Sequence, residues 1–145
     1  MLDMFLQLQN PDGSFPRKFH DDFTVVDGSG GSTPSATLPL VMGYKYFKDK
    51  RYLSAARRTS EYLEKKLISK ADYFSSTLDA NCEDKEASLY TATATYYLSL
   101  ITNGTEHNHY ASLTRKAAYF ALSWYYVWDV PFAPGQMLGD IGLQT

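Results

Sequence analysis

A single cysteine, Cys82, is the only thiol in the 145 residues, which excludes an intrachain disulfide and a cysteine-rich metal site. Excess charge is equally scarce: the net charge is −2, with no basic block, so no phosphate-tracking surface for nucleic acid is expected. No stretch approaches the roughly 18 apolar residues of a membrane span. The opening Met1-Leu2-Asp3-Met4-Phe5-Leu6-Gln7 has neither the basic start nor the apolar run of a signal peptide. If Met1 is the true start, a cytoplasmic protein is expected; if the chain is a fragment, a periplasmic or secreted location is equally open. No strand pattern is long enough to count. His107 and His109 lie two apart and face different ways on a helix, so with His20 they make no zinc signature. Gly28-Ser29-Gly30-Gly31-Ser32 lacks the Gly-Lys-Ser/Thr ending of a phosphate loop. Neither a metal nor a cofactor is expected.

What is present is a globular composition, with 44% hydrophobic residues and 12 tyrosines among 15% aromatics. Tyrosine joins an apolar body to a polar tip and suits half-buried helix faces and wet clefts. One helix occurs twice. Tyr52, Ser54, Arg57, Arg58 and Tyr62 reappear 58 positions on (110 − 52 = 58) as Tyr110, Ser112, Arg115, Lys116 and Phe120. An amphipathic helix precedes each copy, so the unit is a helical hairpin of roughly 50–60 residues, longer than common solenoid repeats. The expected fold is all-α: one domain over 1–145 of antiparallel helical hairpins, whose apolar stripes are buried by side-by-side packing.

The spacing predicts a helix end over 2–9, stopped by Asn10-Pro11-Asp12-Gly13, and a structureless loop over 10–33. A helix then starts at Thr33-Pro34 with a stripe of Thr37, Leu40, Val41, Tyr44 and Phe47, and Pro39 either kinks it or marks its start. Asp49 caps the second helix, about 50–68, on Tyr52, Leu53, Ala56, Ser60, Leu63 and Leu67. After a loop at about 70–82, Ala87, Tyr90, Thr91, Ala94, Tyr97, Leu98 and Ile101 make the most regular helix, with its tyrosines read as core. Asn103-Gly104 stops it, and a fourth helix runs from about 106 to 127 through Leu113, Ala117, Phe120, Ala121 and Trp124.

Alternate loops of a hairpin stack lie at one end, so 10–33, 70–84 and the tail after 128 should share a rim. That rim carries Asp12, Asp21, Asp22 and Asp27; Asp79, Glu83, Asp84 and Glu86; and Asp129 and Asp140. Phe15, Arg17, His20, Trp128 and Gln136 lie among them. Carboxylates between aromatic walls suit sugars, and glycoside hydrolysis needs one protonated and one ionised carboxyl. Bland readings stand beside this one. Asp84 precedes a helix and is expected to cap it, and Asp27 before Gly28 reads as a turn residue. Asp21-Asp22 lacks the spaced ligands of a calcium loop, and Cys82 reads as a structural thiol.

The segments Leu8-Gln9-Asn10-Pro11-Asp12-Gly13-Ser14-Phe15-Pro16, Asp79-Ala80-Asn81-Cys82-Glu83-Asp84-Lys85-Glu86-Ala87 and Trp124-Tyr125-Tyr126-Val127-Trp128-Asp129-Val130-Pro131-Phe132 resemble bacterial six-hairpin glycosidase-like proteins, which are alpha/alpha toroids. The resemblance implies a carbohydrate substrate, with Glu83, Asp84, Glu86 and Asp129 at the centre. Together with the rim argument it makes Glu83, Asp84, Asp22 and Asp129 the catalytic candidates. Phe15, Arg17, His20, Asp27, Glu86, Trp128 and Gln136 are the substrate-binding candidates. A non-catalytic glycan- or protein-binding module is the rival expectation, and a lyase on uronic-acid polymers the third. Two hairpins cannot close a ring, so this chain reads as a portion of a larger toroid, or as a homodimer or higher assembly that covers its apolar flanks.

Overall fold

The computed structural model describes residues 2–74, 83–125, 131–133 and 136–137. It is mainly helical. A short helix α1 (Leu2–Leu8) leads through a small ribbon, β1 (Lys18–Phe19) and β2 (Val25–Asp27), into α2 (Thr33–Phe47) and α3 (Lys50–Lys66). A 3-10 turn, Ile68–Lys70, follows; then come α4 (Lys85–Ile101), α5 (Gly104–Leu122), and a second ribbon of β3 (Pro131–Ala133) and β4 (Gln136–Met137). The all-α expectation holds, with α2–α3 and α4–α5 as two antiparallel hairpins.

Polar contacts fix how the hairpins lie. Arg57 of α3 donates through Nε and Nη2 to the two oxygens of Glu106 at 2.6 and 2.8 Å. Further on along both helices, Glu64 meets His109 Nε2 at 3.0 Å. The partners advance together along both helices, so α3 and α5 run in the same direction. Their hairpin mates α2 and α4 therefore also run parallel, and they pack on each other. The starts of α2 and α4 consequently share one end of the bundle with the end of α3.

The helix starts follow from the expected caps. Asp49 Oδ1 accepts the N–H of Arg51 at 2.9 Å, and Asp84 Oδ1 accepts that of Glu86 at 2.8 Å, each satisfying a first-turn donor. Pro39 lies inside α2 without stopping it. The bond it cannot make would go to the carbonyl of Ser35, an exposed residue, where water can take its place. The α3 stripe is fully buried as read: Tyr52, Leu53, Ala56, Ser60, Leu63 and Leu67. The buried faces of α2 and α4 use small residues. Thr33, Ala36, Thr37 and Gly43 are set beside Leu40 and Val41 on α2, and Ala87, Ser88, Thr91, Ala94, Thr95 and Ser99 beside Leu98 on α4. Added at Gly43, a Cβ would lie 3.0 Å from Leu2 and 3.3 Å from the Tyr52 ring, so this glycine lets α1 and α3 close over α2.

Several expectations are corrected. The loop 10–33 is not structureless, because β1 and β2 pair antiparallel across a bulge between Lys18 and Phe19. Strands of two and three residues are too short to display an alternating pattern. Tyr90 and Tyr96 stand out from α4, 42% and 48% exposed, and Phe47 ends α2 at 60%. The tyrosines of α4 are thus not all core. α5 stops at Leu122 and not near 127: Ser123, Trp124 and Tyr125 donate three residues back, to Phe120, Ala121 and Leu122, which tightens and ends the helix. That leaves Trp124 exposed, outside the core stripe.

Candidate functional site

The chain between α1 and α2 is held to the end of α3 by close backbone contact. Gly13 has φ +89°, and a Cβ there would sit 2.2 Å from the carbonyl oxygen of Arg58. Gly30, φ +84°, has the Tyr62 hydroxyl 2.3 Å from where its Cβ would be. Gln9 fastens the same junction, donating through Nε2 to the Ala55 carbonyl at 2.9 Å and the Thr59 hydroxyl at 2.8 Å, and Arg58 in turn donates to the Gln9 side-chain oxygen. The ribbon therefore springs from a fixed base at the rim where α2 and α4 begin.

Three aspartates shape this rim in one way. Asp12 accepts the N–H and hydroxyl of Ser14 at 3.0 and 2.6 Å. Asp22 does the same for Thr24 at 2.9 and 2.7 Å. Asp27 accepts the N–H of Ser29 at 2.9 Å. The Ser14 and Thr24 hydroxyls are the main reason that Asp12 and Asp22 are held below the usual carboxylate range, and for Asp27 it is the Ser29 N–H. A Ser or Thr two residues after Asp was visible in the sequence as Asp12-Gly13-Ser14, Asp22-Phe23-Thr24 and Asp27-Gly28-Ser29. It marks local turns, so Asp27 is the turn residue expected.

Phe23, between Asp22 and Thr24, is the feature that sequence reasoning missed. It is 58% exposed and held at φ 65°, a conformation that bulky residues rarely adopt and that costs about 1–3 kcal/mol. The turn holds it there. The Phe23 N–H donates to the His20 carbonyl at 2.9 Å, and the His20 N–H donates to the Thr24 carbonyl at 2.9 Å. Val25 and Val26 are also exposed. The ribbon tip thus presents an aromatic face beside the ionised Asp22, with the exposed His20 close in the chain.

The other candidates divide. Glu83 and Asp84 close the segment after α3. Glu83 Oε2 accepts the Tyr73 N–H at 3.2 Å, Asp84 donates its N–H to the Tyr73 carbonyl at 2.8 Å, and Phe74 pairs with Glu83 as a bridge. Asp84 is the cap of α4, and Glu86 is exposed on its first turn. Phe15 is buried in the core against Phe5, ring centroids 5.8 Å apart. The Arg17 side chain is largely buried and paired with Asp27 at 3.4 Å. Gln136 is exposed on β4. Trp128, Asp129 and Asp140, with Asp79 and Cys82 of the second loop, lie outside the described residues. Among the described residues no group of three or more His, Cys, Asp or Glu gathers to hold a metal ion, and no helix is long and apolar enough to cross a membrane.

Chemically, this end of the bundle offers fixed carboxylates, an exposed ring and backbone turns of defined shape. Among the described residues, every acid with a displaced pKa, which are Asp12, Asp22, Asp27, Asp49 and Glu106, is displaced downward. These five groups can accept hydrogen bonds or act as bases; they are not the protonated partner of an acid–base pair. No protein-family model matches this chain, and no solved structure matches its fold.

Proposed function

We propose that this protein processes carbohydrate, with glycoside hydrolysis as the reaction, and that sugar docks at the rim carrying the first ribbon and the start of α4. The ribbon tip supports this reading most strongly. An aromatic side chain held outward at a backbone cost, next to a carboxylate kept ionised, pairs a surface for the C–H face of a sugar ring with an acceptor for its hydroxyls. Glu83 is the rim acid assigned to the reaction with Asp22, and Asp129 is the third candidate.

The test is incubation of the chain with a panel of neutral and acidic polysaccharides and oligosaccharides, following both binding and the release of reducing ends. Binding and release are expected with at least one glycan. Phe23→Ala should weaken binding by roughly tenfold or more, the scale of losing one stacking anchor. Glu83→Gln should abolish release with helix content unchanged. Binding without release would favour the non-catalytic glycan-binding module, a reading consistent with acids held ionised and with Asp84 serving as a cap. Release of unsaturated products would identify the lyase. Binding of no glycan at all would reject the proposal.

We also propose that copies of the chain associate. α2 leaves Met42, Tyr46 and Phe47 exposed, and α4 leaves Leu89, Tyr90, Tyr96 and Leu100 exposed, with Tyr46 at 81%. In a two-fold pairing one such patch serves both subunits. Sedimentation should show a homodimer or larger species that Tyr46→Lys combined with Leu100→Lys reduces to monomer. A wild-type monomer at high concentration would refute the pairing.

A further inference from the structure

We propose that a pocket between α1, the segment 15–19 and the first turn of α2 binds a small organic carboxylate with an apolar body, its carboxylate lying on one edge of the Arg17 guanidinium. This does not rest on the carbohydrate reading. The pocket has a volume of about 260 Å³ and is walled by Met4, Phe5, Leu8, Phe15, Phe19 and Ala36, with Arg17 as the charged group in its lining. A cavity of about 150 Å³ with such walls takes up benzene, so a ring and its carboxylate have room.

The state of Arg17 carries the inference. Its side chain is only 7% exposed, and among the described residues its one ionic partner is Asp27, met through Nη1 at 3.4 Å. Nε and Nη2 are buried with no hydrogen-bond partner among the described residues. A guanidinium has five N–H donors, and those on Nε and Nη2 form the side-on fork that fits the two oxygens of a carboxylate. In two other arginines that fork is filled. Arg57 gives Nε and Nη2 to Glu106 at 2.6 and 2.8 Å, and Arg51 gives them to Asp49 at 2.9 and 2.7 Å. Asp27 does not supply the missing oxygens, since its Oδ2 is on Nη1 and its Oδ1 on the Ser29 N–H. A buried cation with an empty fork is costly, and an incoming carboxylate removes that cost. The first turn of α2, with Ser32 and Ser35 also in the lining, adds the positive end of a helix of 15 residues. The ligand reaches the fork by pushing a wall side chain aside. Met4, unbranched and 37% exposed, is suited to yield.

Benzoate and its neutral isostere benzamide are the probes, titrated into the full chain by calorimetry while the Nε–H resonance of Arg17 is followed by NMR. Benzoate should saturate in the millimolar range or below and shift that resonance, and benzamide should bind roughly tenfold more weakly or worse, the loss expected for charge-assisted bonds. Arg17→Met, or Arg17→Lys if the first does not fold, should lose benzoate to a similar degree, because lysine keeps the charge without the fork. Failure of benzoate to bind at millimolar concentration, equal binding of benzamide, an unmoved Arg17 resonance, or full binding by either folded variant would each overturn the site. None of these readouts involves a glycan, so the pocket and the sugar rim stand or fall separately.

Discussion

Gly13→Val is expected to cost more than about 4 kcal/mol, which removes most of the stability of a domain at the low end of the ordinary range. Two penalties coincide. The added Cβ would fall 2.2 Å from the Arg58 carbonyl oxygen and 2.5 Å from its carbon, both backbone atoms of α3 that cannot swing aside. The residue must also hold φ +89°, where a β-branched side chain is strained. Two other glycines separate the effects. Gly104 has φ +59° with nothing within 4 Å, so Gly104→Ala should lose only about 1 kcal/mol from backbone strain. Gly28→Ala, whose Cβ would meet Val25 at an ordinary 3.8 Å, should be close to neutral. Urea unfolding midpoints should rank Gly13→Val far below Gly104→Ala, with Gly28→Ala near wild type. A Gly13→Val midpoint equal to that of the wild type would disprove the close contact between the loop and α3.

The second large effect is alkaline unfolding. Burial pushes the phenols of Tyr73 and Tyr110 up to about 12, with Glu83 and Glu106 adding to the rise. Burial also raises Tyr62. In the unfolded chain these groups ionise near pH 10. Between pH 10 and 12 the folded state therefore binds more protons than the unfolded one, and stability falls as pH rises. Tyr73 and Tyr110 contribute roughly 2–3 kcal/mol each, which is fully present below pH 10 and lost as pH passes about 12. Circular dichroism and tyrosinate absorbance should change together in that window. Tyr73→Phe, which keeps the ring contact with Phe120 at 4.4 Å between centroids, should move the transition to higher pH. An unchanged midpoint in Tyr73→Phe would show that its phenol does not control the transition.

The helices were legible because each carries its own punctuation. Asp49 and Asp84 cap, Pro34 stands at a first turn, and the α3 stripe keeps its period from Tyr52 to Leu67. The face of each tyrosine was not. Tyr90 and Tyr97 fit the α4 period equally well, yet one is exposed and the other half-buried, because what decides is which flank a neighbouring helix covers. For the candidate site the sequence offered a set of rim residues and not a geometry. The acids of the first loop belong to the expected rim, but Phe15, read as a cleft wall, is core, and Phe23, passed over, is the outward ring. An aromatic forced to positive φ has no composition signal; it follows from the turn that Asp22 and Thr24 close around it. Arg17, read as a substrate-binding candidate, carried no sign in the sequence that Asp27 would meet only one of its nitrogens.

Three hydroxyls along the two inner helices turn back on their own chains. Thr37 donates to the Thr33 carbonyl at 3.2 Å, Thr95 to the Thr91 carbonyl at 2.9 Å, and Thr102 to the Leu98 carbonyl at 2.8 Å. Such groups hold nothing across the seam. What remains between α2 and α4 is short, non-directional contact, which resists separation far more than it resists slip along the axis. The seam works as a bearing, and the outer pairs Arg57–Glu106 and Glu64–His109 are the bolts that stop it sliding. Raising the salt concentration loosens bolts of this kind and leaves the bearing untouched.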